Sequence, residues 1–184
     1  MGTPKALLEL RGETFLARTV DALRAGGCDP VIVVTGSRED PTARGIAEVA
    51  EAIGASVTIN PVPESEQIDS LRRALAVLVG QPIAVVVTPV DSPDPPAEIV
   101  ERLLRTIADG AALAIPTFGG RRGHPLALAG GLIPELMDGE LPEGLRTIIR
   151  RHEDELVEVR TDDSRVLLDV DTPEDYQRLV TTRS

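Results

Sequence analysis

Short β-branched runs alternate with longer amphipathic runs along this 184-residue chain. The short runs have the length of strands, and their continuous apolar character is typical of strands covered on both faces, as in parallel sheets. The predicted strands cover residues 31–34, 55–59, 83–87, 111–115, 125–129, 156–159 and 166–168. This alternation limits the fold more than any other feature of the sequence, because it favours an α/β architecture.

The segments between these strands carry apolar residues at three- and four-residue spacing, which predicts amphipathic helices. Glycines end two of them, at Gly26 and Gly54. The predicted helices cover residues 14–25, 42–53, 65–79, 97–108 and 172–180. This order predicts one three-layer α/β/α domain over residues 1–184, with a mostly parallel sheet. Ligands of such sheets bind beyond the carboxyl ends of the strands.

The composition limits the partners that we expect. The formal net charge of −11 argues against a general affinity for nucleic-acid backbones or anionic lipid, although a small nucleotide can bind through a local cation. The single cysteine, Cys28, cannot form an intrachain disulfide. No run approaches the roughly 18 apolar residues of a membrane helix. We expect a cytoplasmic protein that binds neither nucleic acid nor membrane.

The strongest predicted strand, at residues 83–87, leads to Asp91 at the edge where ligands are expected. A carboxylate there can hold Mg²⁺, which takes a few protein oxygens and keeps several waters. The alternative is that Asp91 only caps the next helix, since Asp before a proline-rich turn is a common helix start. The local sequence leaves both interpretations open.

A glycine-rich, cationic turn follows the predicted strand at residues 111–115 and contains Arg122, Gly123 and His124. It is either an ordinary hairpin with its arginines in solvent, or an anion site made of backbone N–H groups and a guanidinium. His124 precedes Pro125, which restricts it to an extended conformation.

The segment DVDTPEDY at residues 169–176 is the most specific part of the sequence. Thr172 as the N-cap, Pro173 at the first helical position and Asp175 three residues after the cap form a standard helix start. That start does not explain Asp169 and Asp171. Two acids at alternate positions of a strand end point to one side and repel each other, so they call for a cation or solvent.

Polar residues also surround the start of the predicted helix at residues 65–79, where Gln67 and Ser70 follow Asn60. Free N–H groups at a helix start can receive a base or a phosphate. The alternative is ordinary capping by Ser65.

Taken in order, these motifs resemble the nucleotidyltransferases of the molybdenum-cofactor cytidylyltransferase type, within the glycosyltransferase-A-like fold. The resemblance runs from residue 1 to about residue 180, and each motif alone is weak. The six motifs are GTPKALL at residues 2–8; Asn60-Pro61 with Glu64, Gln67, Ser70 and Leu71; the strand ending at Asp91 with Pro93; RGHP at residues 122–125; Gly144 with Arg146; and DVDTPEDY. Six motifs in the right order indicate the fold specifically.

The resemblance implies a reaction in which an acceptor phosphate attacks the α-phosphorus of a nucleoside triphosphate, and pyrophosphate leaves. CTP is the expected nucleotide, and a phosphorylated molybdopterin-type molecule is the expected acceptor. Lys5 would neutralise triphosphate charge, while Asp91 with Asp169 or Asp171 would hold Mg²⁺; of the last two we favour Asp171.

The same resemblance implies the binding residues. Gln67 and Ser70 would lie near the base or ribose. Arg122, Gly123 and His124 would face the acceptor.

Two departures from the family pattern stand out. The family's first strand and glycine-rich loop come before the Lys5 motif, and this sequence begins after them. Burial of about five aliphatic residues in that central strand contributes on the order of 10 kcal/mol, within the roughly 5–15 kcal/mol of a whole domain. We therefore expect impaired turnover in the chain as given, and an upstream start with Met1 internal. Glu66 also replaces a usual glycine, and its charge repels a nucleotide unless it turns away.

Two other functions remain open on the sequence alone. The first is a non-catalytic nucleotide-binding or partner-binding module of the same fold. The second is a nucleotidyltransferase that acts on a sugar or polyol phosphate.

Overall fold

The computed structural model describes residues 3–62 and 65–182. Within them the strands are β1 (Glu9–Leu10), β2 (Glu13–Thr14), β3 (Ile32–Thr35), β4 (Ser56–Ile59), β5 (Ala84–Val87), β6 (Leu113–Phe118), β7 (Arg121–Arg122), β8 (Leu126–Ala129) and β9 (Leu156–Arg160). The α-helices are α1 (Phe15–Ala25), α2 (Pro41–Ala52), α3 (Gln67–Ala76), α4 (Ala97–Ala108), α5 (Ile133–Asp138), α6 (Leu145–Arg151) and α7 (Pro173–Thr182). Short 3-10 turns lie at Lys5–Leu7, Gly130–Leu132, Glu153–Glu155 and Ser164–Leu167.

The expected three-layer α/β architecture is confirmed, and alternation along β6 shows the layers. Leu113 and Ile115 pack in one core cluster with α3, α5 and α6, whereas Ala114 packs in another with α4. Successive side chains of a strand point to opposite faces, so helices cover both faces of the sheet.

The described strands form a mixed sheet where a mostly parallel one was expected. The larger sheet has the order β5-β8-β6-β7, with β8 antiparallel to both of its neighbours and β9 parallel to β6. The reason is the short connection between β6 and β8. A parallel pair needs a crossover of about a dozen residues or more, so a short turn allows only an antiparallel return.

A second sheet contains only β3 and β4, which pair in parallel. No described strand pairs with the other edge of β3 or with the other edge of β5. All four residues of β5 are half-buried, and so are Ile32, Val33 and Val34 of β3, whereas most of β6 is buried. The apolar runs predicted strands covered on both faces, whereas the described residues cover most of β3 and all of β5 only in part.

Several helix starts follow their sequence signals. The Thr14 side chain accepts a hydrogen bond from the Ala17 N–H at the start of α1. At the start of α7, the Thr172 hydroxyl and the Asp175 carboxylate each accept a hydrogen bond from the other's backbone N–H. The capping proposed for Ser65 is wrong, because Glu66 is the N-cap of α3 and Ser65 accepts instead from the Asn60 side chain.

The strand expected at residues 166–168 is also wrong. Val166 and Leu167 belong to the 3-10 turn Ser164–Leu167, and Leu168 follows it directly. The turn begins where the Asp163 carboxylate accepts a hydrogen bond from the Arg165 N–H. The apolar character of residues 166–168 comes from burial of the turn, since Val166 packs against α4, β6 and β8. The β1-β2 hairpin and the short helices α5 and α6 were not predicted. No described helix has the length and apolar character needed to cross a membrane.

Candidate active site

Three separate segments bring their charged side chains together at one end of the larger sheet. Asp91 follows β5, Asp169 and Asp171 follow the turn Ser164–Leu167, and Lys5 begins the turn Lys5–Leu7. The backbone holds two of the segments directly, because the Val170 N–H donates to the Asp91 carbonyl at 2.9 Å. Val170 itself is fully buried, which anchors the two acids on either side of it.

The three predicted metal ligands form a compact acidic cluster. One carboxylate oxygen from each of Asp91, Asp169 and Asp171 lies within 4.8 Å of the others. Asp91 is half-buried, and the other two are exposed. Desolvation raises the pKa of Asp169, and the charges of Asp91 and Asp171 raise it further. The cluster therefore carries mutual repulsion that a cation would relieve.

Lys5 supplies one such cation. Its ammonium donates to Asp171 at 2.7 Å and to Asp91 at 3.2 Å. The hydrogen bond to Asp171 is the largest cause of a raised Lys5 pKa, which keeps the side chain protonated. Lys5 thus lies against two of the three carboxylates.

The glycine-rich turn packs against the segment that carries the acids. A methyl group on Gly123 would overlap the Val166 carbonyl, so this position requires glycine for a close backbone approach. The next N–H, of His124, donates to the same carbonyl at 2.7 Å. Desolvation lowers the pKa of the His124 imidazole, although the residue as a whole is exposed and the charges of Asp169 and Asp91 oppose the shift. His124 and Gly123 therefore lie beside the acidic cluster.

Arg122 points to a different set of partners. Its guanidinium pairs with Glu153 at 2.6 Å and with Glu158 at 2.9 Å. These hydrogen bonds raise the Arg122 pKa. The β6-β7 pairing across Gly119 and Gly120 forms a hairpin, which was one of the two alternatives for this turn. Contact between Arg122 and an acceptor would require the guanidinium to leave its two glutamates.

The predicted nucleotide-binding residues lie at the start of α3. Gln67 is exposed, and the Ser70 hydroxyl accepts a hydrogen bond from the Asn60 side chain at 3.2 Å. The buried Asn60 also bonds Ser65 and the Val62 N–H, so it organises this helix start. These bonds do not reach the acidic cluster. Glu64, part of the same motif, lies outside the described residues.

A second group of charges, centred on Asp94, was not predicted from the sequence. Asp94, three residues after Asp91, accepts hydrogen bonds from Arg18 and Arg165. Its only local signal is the proline-rich turn in which it lies, because its partners are far away in the sequence.

The cluster can bind a divalent cation together with an anion. Carboxylate oxygens are the ligands that Mg²⁺ and related hard cations prefer, and the residues present fit such an ion. The ammonium of Lys5 adds a positive group at the same place. A polyphosphate chelated to a divalent ion carries the matching charges.

Comparison with known families identifies the chain. Residues 1–156 match the family model described as the MobA-like NTP transferase domain. The chain belongs to this family, and the resemblance seen in the sequence is confirmed.

Three relatives match parts or most of the chain. A 2-C-methyl-D-erythritol 4-phosphate cytidylyltransferase from Frankia casuarinae is 35% identical over 62% of this chain and 41% of its own. Nicotine blue oxidoreductase from Paenarthrobacter nicotinovorans is 27% identical over 96% of this chain and 88% of its own. A probable molybdenum cofactor guanylyltransferase from Opitutus terrae is 41% identical over 30% of this chain and 28% of its own. The match therefore spans less than half of either transferase.

Solved structures with the same fold cover nearly the whole chain. Rv0371c from Mycobacterium tuberculosis superposes with a TM-score of 0.79 at 26% identity, covering 98% of this chain and 90% of that one. A manganese complex of the same protein superposes with a TM-score of 0.76, covering 98% and 93%. A relative of this fold thus binds a divalent metal.

Proposed function

We propose that this protein is a magnesium-dependent nucleotidyltransferase of the cytoplasm. It transfers a nucleoside monophosphate, with CTP as the expected donor, to a phosphorylated molybdopterin-type acceptor. The observation that carries the proposal is the convergence of Asp91, Asp169 and Asp171 with Lys5 at one end of the sheet. Family membership supports the reaction class, and the probable guanylyltransferase from Opitutus terrae supports the acceptor class.

The acidic cluster is the proposed metal site. Asp91 and Asp171, with Asp169 beside them, would hold the ion through carboxylate oxygens. When bound, Mg²⁺ neutralises phosphate oxygens and stabilises the negative charge that develops during transfer. The manganese complex of Rv0371c supports a divalent ion in this fold.

Lys5 has a separate task in the proposed reaction. Its ammonium is a compact point charge on a flexible stem, so it can attract the anionic triphosphate. An oxygen of the acceptor phosphate forms a bond to the α-phosphorus of the nucleotide, and the bond from that phosphorus to the bridging oxygen of pyrophosphate breaks. No side-chain nucleophile is needed, which agrees with Cys28, whose pKa burial raises to about 11.

The remaining predicted residues bind the two substrates. Gln67 and Ser70 are proposed to contact the base or ribose at the start of α3. Gly123 and His124 are proposed to face the acceptor, since their turn lies against the segment that carries Asp169 and Asp171. Arg122 would join them after releasing Glu153 and Glu158.

A second candidate function is transfer to a polyol phosphate. The Frankia casuarinae relative, 35% identical over 115 residues, is named for an acceptor of this kind. Because both candidates use the same acidic cluster, they differ only in the molecule that meets the Gly123 turn.

Pyrophosphate release tests the proposal. The protein is incubated with each of the four NTPs and Mg²⁺, together with molybdopterin-type acceptors or with 2-C-methyl-D-erythritol 4-phosphate. We expect slow, metal-dependent release with one nucleotide and one acceptor class, because turnover of the chain as given is expected to be impaired. Asp171→Asn should lower the rate at least about 100-fold, since even indirect ligand supports change metal sites by roughly 10–100-fold. The exposed Asp162→Asn in the same segment is the matched control.

Three results would count against the proposal. Release that does not need a divalent ion would remove the role of the acidic cluster, and an Asp171→Asn rate equal to that of the control would do the same. Nucleotide binding without turnover under every condition would favour the non-catalytic module instead.

A further inference from the structure

A chain of ion pairs involves residues close in sequence to the acidic cluster. Asp94 accepts a hydrogen bond from Arg18 of α1 at 2.7 Å and one from Arg165 at 3.4 Å. The Arg165 guanidinium in turn donates hydrogen bonds to the Asp163 carboxylate at 2.6 and 2.9 Å. These residues join α1, the turn after β5 and the 3-10 turn Ser164–Leu167.

The central member of this chain is well shielded from solvent. The Asp94 side chain is 15% exposed and that of Arg18 is 16% exposed. Shielded pairs are screened less by salt than surface pairs, and loss of one partner leaves a desolvated charge behind. Asp94 also has a φ of 66°, a left-handed conformation that few residues other than Gly, Asn and Asp adopt without strain.

The position of Asp94 ties it to the proposed metal ligands on both sides. Asp91 lies three residues earlier, in a turn whose prolines restrict the backbone. Arg165 lies four residues before Asp169, in the turn that leads to it. The pair of Asp94 and Arg165 therefore connects the two segments at a second point, beyond the hydrogen bond from Val170 to Asp91.

We propose that Asp94 is a positioning residue, which holds the Asp91 turn and the Asp169–Asp171 segment at the separation that a divalent cation needs. This inference rests on the proposed function, because it presumes that the three carboxylates bind a metal. Asp94 itself touches neither the ion nor the substrates.

Manganese binding by Asp94→Asn tests the inference. Asparagine keeps the size and tolerates the left-handed backbone, so the substitution removes mainly the charge. Free Mn²⁺ is counted by electron paramagnetic resonance in titrations of the full chain, and thermal unfolding is followed in parallel. We expect the Kd for Mn²⁺ to rise about 10- to 100-fold, as for other indirect supports of metal ligands. High Mn²⁺ should restore kcat.

The exposed Asp109→Asn, at the end of α4, is the control and should bind Mn²⁺ as the wild type does. Arg165→Gln removes the same pair from the other side and replaces Asp94→Asn if that variant does not fold. A lower Tm with an unchanged Kd for Mn²⁺ would mean that Asp94 only supports folding, and would overturn the inference alone. A wild type that binds no Mn²⁺ would overturn the proposed function and the inference with it.

Discussion

Replacement of Asp169 by asparagine should stabilise the metal-free protein while weakening metal binding. The ligand oxygens of Asp169, Asp91 and Asp171 lie within 4.8 Å of one another. At a water-like permittivity each repulsive pair costs about 1 kcal/mol at this separation. The attraction of Asp169 to Lys5 is weaker than either repulsion, so it offsets only part of one pair. The net gain expected for Asp169→Asn is therefore at least about 1 kcal/mol, or a Tm increase of roughly 2–4 °C or more for a chain of this size.

The order of stability should reverse when a divalent ion is added. Binding at a hundredfold excess over Kd stabilises the wild type by about 2.7 kcal/mol, whereas the variant has lost one ligand. Thermal unfolding of both proteins in EDTA and then in Mn²⁺ measures the two effects, and higher salt should shrink the first. An Asp169→Asn protein that is less stable than the wild type in EDTA would refute the argument from repulsion. If Mn²⁺ raised the Tm of Asp169→Asn as much as that of the wild type, the assignment of Asp169 to the metal site would be refuted.

Contacts of Lys5, His152 and Gly123 can each be tested by one substitution. Lys5→Met should lower the stability of the metal-free protein by about 1 kcal/mol and weaken nucleotide binding, as measured by calorimetry. The hydrogen bond to Glu135 raises the pKa of His152. The pair therefore stabilises the fold fully below about pH 6.5, and this stabilisation is lost as the pH rises through the raised pKa. His152→Gln should remove this part of the pH dependence of Tm. Gly123→Ala should lower the free energy of unfolding by about 1–3 kcal/mol or more, because the new methyl group overlaps a backbone carbonyl, and it should weaken Mn²⁺ binding. The control is Gly131→Ala, whose methyl group meets no atom within 4 Å and which should change neither stability nor Mn²⁺ binding.

The acidic cluster was predictable because its members follow local signals. Asp91 comes directly after an apolar strand, and Asp169 and Asp171 stand next to an unmistakable helix start at Thr172. The strand-end argument holds for Asp91 alone, because the strand expected before Asp169 is a 3-10 turn. The family resemblance, rather than the strand pattern, placed Asp169 and Asp171 beside Asp91.

Long-range charge pairs and short apolar runs account for what could not be predicted. The partners of Arg122, Glu153 and Glu158, lie more than 30 residues away, and no periodicity connects them. The run at residues 166–168 has the composition of a strand, but a short apolar run fits a buried turn equally well. Asp94 illustrates both problems, since its two arginines come from α1 and from that same turn.

Among the described residues, the unpaired edges of β3 and β5 predict where backbone amides should exchange fastest with deuterium. Alternate amides of an edge strand point away from its single neighbour, and among the described residues nothing in a strand receives them. Amides bonded to water exchange with deuterium through small local openings. Amides that are hydrogen-bonded within a strand paired on both sides exchange only when a larger part of the sheet opens. The slowest exchange should therefore occur in β6 and β8, which have partners on both sides. The valines of β5, whose residue types alone suggest the most rigid part of the molecule, should carry some of its fastest-exchanging strand amides.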